Sequence, residues 1–415
     1  MTRDLSLTRR KLGLGAAASL GAAPAAASGF GNLADLLDAR VATGDPPGLV
    51  ALIARGEAVW THASGLRDIA AGAPMARDTV FAIASAGKPL TAVSALQLVE
   101  DGVLGLDAPV DRWLPELRDR RVLRDLTSPL DDTVPAHRAI TLRDLLTCRM
   151  GLGAVFADPA SAPVLRRMAE LELAPGPKLF GHGPDEFMRR IGTLPLVHQS
   201  GERWLYHTGL DVAGVLVARA SGMSLEAFQR ARIFAPLGMA DTGFSAPARR
   251  LATCYRREGE RLVEHNPASG ASFAEPPPFQ AGGGGQVSTA DDMLAFGRML
   301  LLGGTWRGRR ILREASVREM LTDQITPEQK AASPFFPGFW DAHGWGLGIG
   351  LVKPAPTHAP GSRGRFGWWG GFGTTFFADP GLDTVALLFT GRMMGGPDDA
   401  ALGAEVLRHA FGDRA

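Results

Sequence analysis

The spacing of apolar residues changes twice along the chain. Short apolar runs come first, between residues 49 and 62, and the intervening Arg55-Gly56-Glu57 predicts the turn of a β-hairpin. From residue 85 to about residue 300, apolar residues recur at helical spacing, with long loops between the predicted helices. Short apolar runs then return and predict three further strands, over 344–352, 374–378 and 384–390.

This order of elements predicts an α/β fold of the α+β type, in which both ends of the chain build one mostly antiparallel sheet around an inserted helical region. We assign residues 28–415 to one domain, with an α/β part at about 28–84 and 300–415 and a helical part at about 85–299. A final helix is predicted from about Asp398 to Ala410. An active site is expected where the two parts meet, since clefts form at such junctions.

The first 27 residues have the layout of a signal peptide. Two adjacent arginines, at positions 9 and 10, precede an alanine- and glycine-rich run that ends in three alanines, which fits a cleavage site. The paired arginines indicate the twin-arginine route. The run is too short and too weakly apolar to span a bilayer comfortably, and no stable membrane insertion is expected after the signal peptide is cleaved. The alternative is a disordered tail. Export predicts a periplasmic or secreted protein, in which Cys148 and Cys254 could pair, a point that the sequence leaves open.

Composition and charge exclude some classes of function. The 415 residues are 45% hydrophobic, and 44 Lys and Arg against 43 Asp and Glu leave a net charge of +1. A chain without a strong field of one sign is not expected to bind nucleic acid. The nine histidines are scattered and the two cysteines lack metal-ligand spacing, so we predict no metal and no cofactor.

Ser85 and Lys88 form the only Ser-x-x-Lys in a chain that has five lysines. They stand where a short apolar run gives way to the helical stripe of residues 90–99, so Ser85 is predicted at a helix N-terminus with Lys88 one turn along on the same face. A lysine there can take the proton of the serine hydroxyl, and the free N–H groups of the helix start favour an oxyanion. The alternative interpretation is a serine N-cap beside a solvated lysine.

Tyr206 opens another predicted helix and is one of only two tyrosines. A tyrosine at a helix start beside a lysine could have a lowered pKa. It could then act as general base to Ser85 and as acid to the leaving group. The alternative is a half-buried tyrosine that anchors a loop.

A third candidate segment consists of Trp369, Gly370, Gly371 and Phe372. Glycine within a strand marks a close approach by another backbone or by a ligand. This strand edge is expected to bind substrate and to offer an N–H to the carbonyl oxygen, which completes an oxyanion hole with the Ser85 N–H. The alternative is a tight turn packed under two tryptophans.

In this order, the three motifs resemble those of the serine β-lactamase and penicillin-binding-protein superfamily, in particular its class C-like branch and the family VIII carboxylesterases. Flanking segments such as Asp107-Ala-Pro-Val110 and Pro236-Leu-Gly-Met239 agree, and the resemblance covers about residues 33–410. It implies a β-lactamase/transpeptidase-like fold. It also implies a role for each candidate residue: acylated nucleophile for Ser85, its partner for Lys88, catalytic tyrosine for Tyr206 and second oxyanion N–H for Phe372.

Two departures from the superfamily's pattern bear on the substrate. Thr208 stands where the motif Tyr-x-Asn is usual, and Trp369-Gly370-Gly371 stands where lactamases usually carry Lys-Thr-Gly or His-Thr-Gly. The tryptophan form is similar to that of the esterase branch and offers no cation for the carboxylate of a β-lactam. The resemblance therefore implies a serine hydrolase of carboxylic esters, whose partner is a small-molecule ester or amide.

Two other functions stay open on the sequence. A β-lactamase or D-amino-acid peptidase acting on cell-wall material would suit the predicted export, and an inactive binding protein would use the same fold. The binding protein is disfavoured because Ser85, Lys88 and Tyr206 are all present. An ordinary α/β-hydrolase is disfavoured because no Gly-x-Ser-x-Gly occurs.

Overall fold

A computed structural model describes residues 30–176, 178–268, 273–353, 364–396 and 399–412. The predicted signal peptide, residues 1–27, lies outside these ranges. The helices are α1 Gly31–Ala42, α2 Lys88–Glu100, α3 Leu142–Leu146, α4 Pro163–Glu170, α5 Pro184–Thr193, α6 Thr208–Ser221, α7 Leu225–Gln229, α8 Ala235–Leu237, α9 Ala290–Leu301, α10 Glu314–Met320, α11 Pro327–Ala331, α12 Phe339–Ala342 and α13 Ala401–Phe411. The strands are β1 Gly48–Arg55, β2 Ala58–Asp68, β3 Ala73–Pro74, β4 Phe81–Ala82, β5 Arg121–Leu123, β6 Thr133–Pro135, β7 Cys254–Glu258, β8 Arg261–Asn266, β9 Val287–Ser288, β10 Thr305–Trp306, β11 Arg309–Arg310, β12 His343–Trp345, β13 Gly350–Val352, β14 Phe366–Gly370, β15 Thr374–Asp379 and β16 Thr384–Thr390.

The main sheet has eight strands in the order β12-β13-β14-β15-β16-β1-β2-β3, and its ladders are antiparallel. Strand β1 from the beginning of the chain lies beside β16 from its end, with Leu52 opposite Leu387. This pairing confirms the prediction that both ends of the chain build the sheet. It also confirms the predicted hairpin, because β1 and β2 pair with each other from Arg55 and Ala58 onward.

Helices cover both faces of the sheet at β1. Leu49, Ala51 and Ile53 pack into the cluster that includes residues of α1 and α13, whereas Val50 and Leu52 join the large core shared with the helical region. Successive side chains of a strand point to opposite faces. A strand that is covered on both faces is therefore apolar along its length, as β1 is from Leu49 to Ala54 and β16 is from Val385 to Phe389.

Helix α2 runs through the middle of the helical region, and its residues from Lys88 to Leu98 are all buried. The apolar stripe at spacings of three marks only one of its faces. Two polar side chains on the other faces are bonded to distant backbone: Thr91 donates to the Gly282 carbonyl at 2.8 Å, and Gln97 donates to the Ile311 carbonyl at 3.1 Å. A helix enclosed in this way holds its first residue, Lys88, in a fixed and dry position.

The predicted strand over 344–352 is wrong in one respect, because it is two strands. Strands β12 and β13 fold back on each other around residues 346–349. Gly348 has a φ of +72°, which disfavours an extended strand and any residue with a Cβ. A Cβ at Gly346 would stand 2.0 Å from the Met320 carbonyl oxygen, so that position also requires glycine.

Two helix starts differ from their predicted positions. Helix α2 begins at Lys88, after a 3-10 turn over Ala84–Gly87, and not at Ser85. Helix α13 begins at Ala401, and the predicted start at Asp398 lies outside the described residues.

Both cysteines are buried and neither forms a disulfide. Burial raises the pKa of the Cys148 thiol and of the Cys254 thiol to about 12. Within the described ranges, no helix combines the length and the apolar character needed to cross a bilayer.

Candidate active site

Ser85 sits on a tight turn between the small sheet β4–β9 and helix α2. Pairing of Phe81 with Ser288 brings the chain into the core, and Ala84 then takes a φ of +44°, in the left-handed region that residues with a Cβ seldom adopt. Such backbone strain persists only where the surrounding structure holds it, and it is frequent at active sites. The turn leaves Ser85 7% exposed, at the wall of a cavity.

Lys88 is fully buried and points at Ser85. Its Nζ lies 2.8 Å from Ser85 Oγ and 3.1 Å from His207 Nδ1, and it also donates to the Gly283 carbonyl. The alternative of a solvated lysine is therefore wrong. Burial lowers the pKa of Lys88 to about 8, although the carboxylate of Asp211 opposes this change. A lysine with this pKa is partly an uncharged amine near neutral pH and can accept a proton.

Tyr206 lies beside Ser85 and Lys88 in the wall of the cavity. Its ring centroid lies 4.7 Å from Lys88 Nζ, and its hydroxyl accepts a hydrogen bond from Trp368 Nε1. The predicted lowering of its pKa is wrong: burial raises the pKa of Tyr206, and hydrogen bonding with Ser85 and Trp368 only partly opposes this effect. Tyr206 therefore keeps its proton at neutral pH, which suits a proton donor better than a phenolate base.

His207 and Asp211 also belong to the site, and the sequence reasoning missed both. They are 5% and 1% exposed, and His207 Nε2 lies 3.2 Å from Asp211 Oδ2. Burial and the nearby Lys88 lower the pKa of His207. Burial pushes the pKa of Asp211 upward, but the attraction of His207 and Lys88 and the hydrogen bond from Gly283 N lower it overall. The available sequence signal was a histidine and an aspartate at positions i and i+4 of a helix start.

The end of strand β14 lies against the turn that carries Ser85. A Cβ at Gly370 would stand 2.2 Å from the Ile83 carbonyl oxygen, so the glycine permits the close approach that the sequence indicated. Trp369 and Gly371 line the cavity. Phe372 is 2% exposed, and its ring packs against Phe273 at a centroid distance of 5.9 Å. The assignment of its N–H to the oxyanion hole stays a prediction.

The cavity beside Ser85 has a volume of about 270 Å³. Its wall is mainly apolar, with Phe156, Phe335, Met393 and Met394 joining the two tryptophans of β14. A second cavity of about 670 Å³ shares Ala154 and Phe156 with the first and is lined by more polar groups, but Ser85 is not in its wall. Because the nucleophile candidate lies in the smaller cavity, the chemistry is assigned there. Among the residues that the structure describes, no cluster of His, Cys, Asp or Glu could hold a metal ion.

Comparison with known proteins identifies relatives over most of the chain. The family model described as Beta-lactamase matches residues 33–411. Protein Rv1367c of Mycobacterium tuberculosis is 44% identical over 330 residues, which are 78% of this chain and 80% of the relative. Esterase EstB of Burkholderia gladioli is 35% identical over 380 residues, 86% of this chain and 89% of EstB. The solved structure titled EstCE1, a hydrolase with promiscuous acyltransferase activity, superposes with a TM-score of 0.76 and 25% identity, and covers 93% of this chain and 100% of that one.

Proposed function

The chain belongs to the β-lactamase family and is a serine hydrolase of the carboxylesterase-like kind, and we propose that it cleaves carboxylic esters through an acyl-enzyme on Ser85. One observation carries this proposal: the buried Lys88 amine, whose pKa burial lowers to about 8, stands 2.8 Å from Ser85 Oγ. A serine becomes a useful nucleophile when a base of suitable pKa is within hydrogen-bonding distance of its hydroxyl.

The proposed acylation starts from the contact between Lys88 Nζ and Ser85 Oγ. The Ser85 hydroxyl proton passes to the neutral Lys88 amine while Oγ forms a bond with the ester carbonyl carbon. The carbonyl oxygen becomes an oxyanion, which the N–H groups of Ser85 and Phe372 stabilise. When the C–O bond to the alcohol breaks, the departing oxygen takes a proton from the Tyr206 hydroxyl, and Tyr206 recovers one from the Lys88 ammonium.

Deacylation repeats this sequence with water in the place of Ser85. The water loses a proton to the Lys88 amine and attacks the acyl carbon. Breakage of the bond to Oγ returns that proton to Ser85 and releases the acid. Both half-reactions therefore need a neutral amine at Lys88 when they begin.

The wall of the cavity favours uncharged esters. Tryptophan at position 369 packs its ring against Phe377 at 4.8 Å, and no Lys or Arg is among the described residues that line the cavity. Two arginines nearby in the sequence, Arg363 and Arg365, could replace the missing cation in principle. Arg363 lies outside the described residues, and Arg365 lies 3.1 Å from Asp379 and is 7% exposed. Among the described residues, the wall of this cavity therefore offers no lysine or arginine to a β-lactam carboxylate.

Trp369→Lys is expected to shift the ratio of kcat/KM for a cephalosporin to kcat/KM for p-nitrophenyl butyrate in favour of the cephalosporin. A charge-assisted hydrogen bond is worth roughly 1.5–3 kcal/mol, which corresponds to about 10- to 100-fold in this ratio. Steady-state kinetics on both substrates measure the shift. The control is Trp369→Met, which removes the ring without adding a charge and should leave the cephalosporin rate low. A wild type that prefers the cephalosporin would reject the proposed ester specificity.

The pH dependence of kcat/KM should have an acid limb near pH 8. Lys88 is active as the neutral amine, and burial lowers its pKa to about 8, so kcat/KM should rise tenfold per pH unit below that value and level off above it. Tyr206, whose pKa burial raises, should add no descending limb below about pH 10. Rates of a short-chain p-nitrophenyl ester between pH 5.5 and 9.5, corrected for spontaneous hydrolysis, test this. A flat profile would mean that Lys88 does not act as the base.

A further inference from the structure

We propose that His207 and Asp211 are positioning residues that direct the lone pair of the Lys88 amine at the Ser85 hydroxyl. This inference rests on the proposed acylation of Ser85. The buried chain of contacts runs from Asp211 Oδ2 to His207 Nε2 at 3.2 Å, from His207 Nδ1 to Lys88 Nζ at 3.1 Å, and from Nζ to Ser85 Oγ at 2.8 Å.

The first step concerns the tautomer of His207. Its ring is buried with a lowered pKa, and the pKa of Asp211 is also lowered, so a neutral imidazole faces a carboxylate. A carboxylate accepts hydrogen bonds and cannot donate them. The proton of the neutral ring is therefore on Nε2, facing Asp211, and the lone pair of Nδ1 faces Lys88.

The second step counts the hydrogens of Lys88. A neutral amine has two N–H hydrogens and one lone pair. His207 Nδ1 and the Gly283 carbonyl are both acceptors, and they take the two hydrogens. The remaining neighbour is Ser85 Oγ at 2.8 Å. The lone pair is therefore left facing the hydroxyl whose proton it must remove.

Asp211 fixes both of these acceptors. Its Oδ2 holds His207, and its Oδ1 accepts a hydrogen bond from Gly283 N at 2.7 Å. A Cβ at Gly283 would stand 2.6 Å from Oδ1, so only glycine allows the approach. This gives a role to the glycine-rich segment 280–286, whose Gly283 supplies both the N–H and the carbonyl.

The backbone at His207 is consistent with a positioning role. Its φ of +86° and ψ of −68° place a residue with a Cβ in a rare and strained conformation immediately before helix α6. This conformation brings the ring into contact with Lys88, which lies 119 positions away in the sequence.

The other ionisable groups around Lys88 cannot take over the role of His207 and Asp211. Cys148 keeps its proton because burial raises the pKa of the thiol to about 12. Tyr206 also keeps its proton. Lys178 acts on His207 and Asp211 electrostatically, but its own Nζ donates to the Glu172 carbonyl at 2.7 Å. Asp211 is therefore the negative charge that opposes the lowering of the Lys88 pKa by burial.

Three variants test the inference: Asp211→Asn, His207→Asn and His207→Leu. Asp211→Asn keeps the size and an oxygen for Gly283 N, but its amide can donate to Nε2 and reverse the tautomer. We expect kcat to fall at least about 10-fold; in a serine protease, a wrong tautomer of the catalytic histidine lowers kcat by about 10⁴-fold. The acid limb of kcat/KM should also move to lower pH, because the charge that raises the Lys88 pKa is gone.

The two histidine variants distinguish the positioning of the Lys88 amine from the space that the His207 side chain fills. Asparagine tolerates a positive φ and has an oxygen that can accept from Lys88, so His207→Asn should retain several-fold more activity than His207→Leu. The matched control is Asp292→Asn, which changes another buried carboxylate that accepts from the backbone, here from Asp241 N at 2.9 Å. This control should keep both kcat and the acid limb.

A structural role alone would give a different result. The inference is overturned if Asp211→Asn and His207→Leu retain wild-type kcat and acid limb, or if they lose activity only in proportion to folded protein measured by thermal unfolding. It is also overturned if His207→Asn and His207→Leu lose the same fraction of activity while both remain folded. Absence of fluorophosphonate labelling at Ser85 in the wild type would instead reject the acyl-enzyme proposal itself.

Discussion

Ser85→Ala is expected to reduce ester hydrolysis by at least about 10⁴-fold, because loss of a nucleophile leaves only binding and oxyanion stabilisation. The protein should stay folded. Ser85 is small and 7% exposed, and its hydroxyl is bonded within the active site rather than in the main core. Steady-state rates with p-nitrophenyl butyrate measure the loss, and circular dichroism with a thermal melt checks the fold.

Covalent labelling identifies the residue directly. A fluorophosphonate probe should modify the wild type on the peptide that contains Ser85 and should not modify Ser85→Ala. Ser94→Ala is the matched control, because Ser94 is a buried serine on the same segment whose Oγ merely donates to the Leu90 carbonyl at 2.8 Å. It should keep both activity and labelling. Retained activity in Ser85→Ala, with label on another peptide, would contradict the assignment.

The sheet could be predicted because each of its long strands is recognisable from its own short stretch of sequence. Strands β1 and β16 are continuous apolar runs bounded by turn residues, and a strand of that kind must be covered on both faces. The β12–β13 hairpin could not be predicted. Its turn depends on the Met320 carbonyl beside Gly346, a contact that no local pattern shows.

The candidate site was predictable in part because two of its residues are close in the sequence. Ser85 and Lys88 are three residues apart, so one helical turn suffices to place them together. The burial of Lys88 depends on what surrounds α2, and that burial lowers its pKa. The same holds for His207 and Tyr206. Their pKa values change mainly because the side chains are desolvated, and sequence spacing does not report desolvation.

Lys88→Met and Tyr206→Phe should each lower kcat by roughly 10²-fold or more, since a positioned proton-transfer group contributes about 10²–10⁴-fold. Methionine has a similar volume to lysine and no basic group, and phenylalanine removes only the hydroxyl that accepts from Trp368. Two controls match these changes. Tyr255→Phe alters the other tyrosine, whose hydroxyl accepts from Ile69 N at 2.8 Å, and Lys330→Met alters a lysine paired with Asp323.

The double variant Lys88→Met/Tyr206→Phe decides whether the two residues serve one proton path. In the proposed mechanism the proton removed from Ser85 passes through Lys88 to Tyr206 and on to the leaving oxygen. Once either residue is lost, the path is broken and the other has little left to contribute. The double variant should therefore be only slightly slower than the slower single variant. A loss equal to the product of the two single losses would mean that Lys88 and Tyr206 act independently, with Tyr206 stabilising the leaving oxygen by a hydrogen bond rather than by proton transfer.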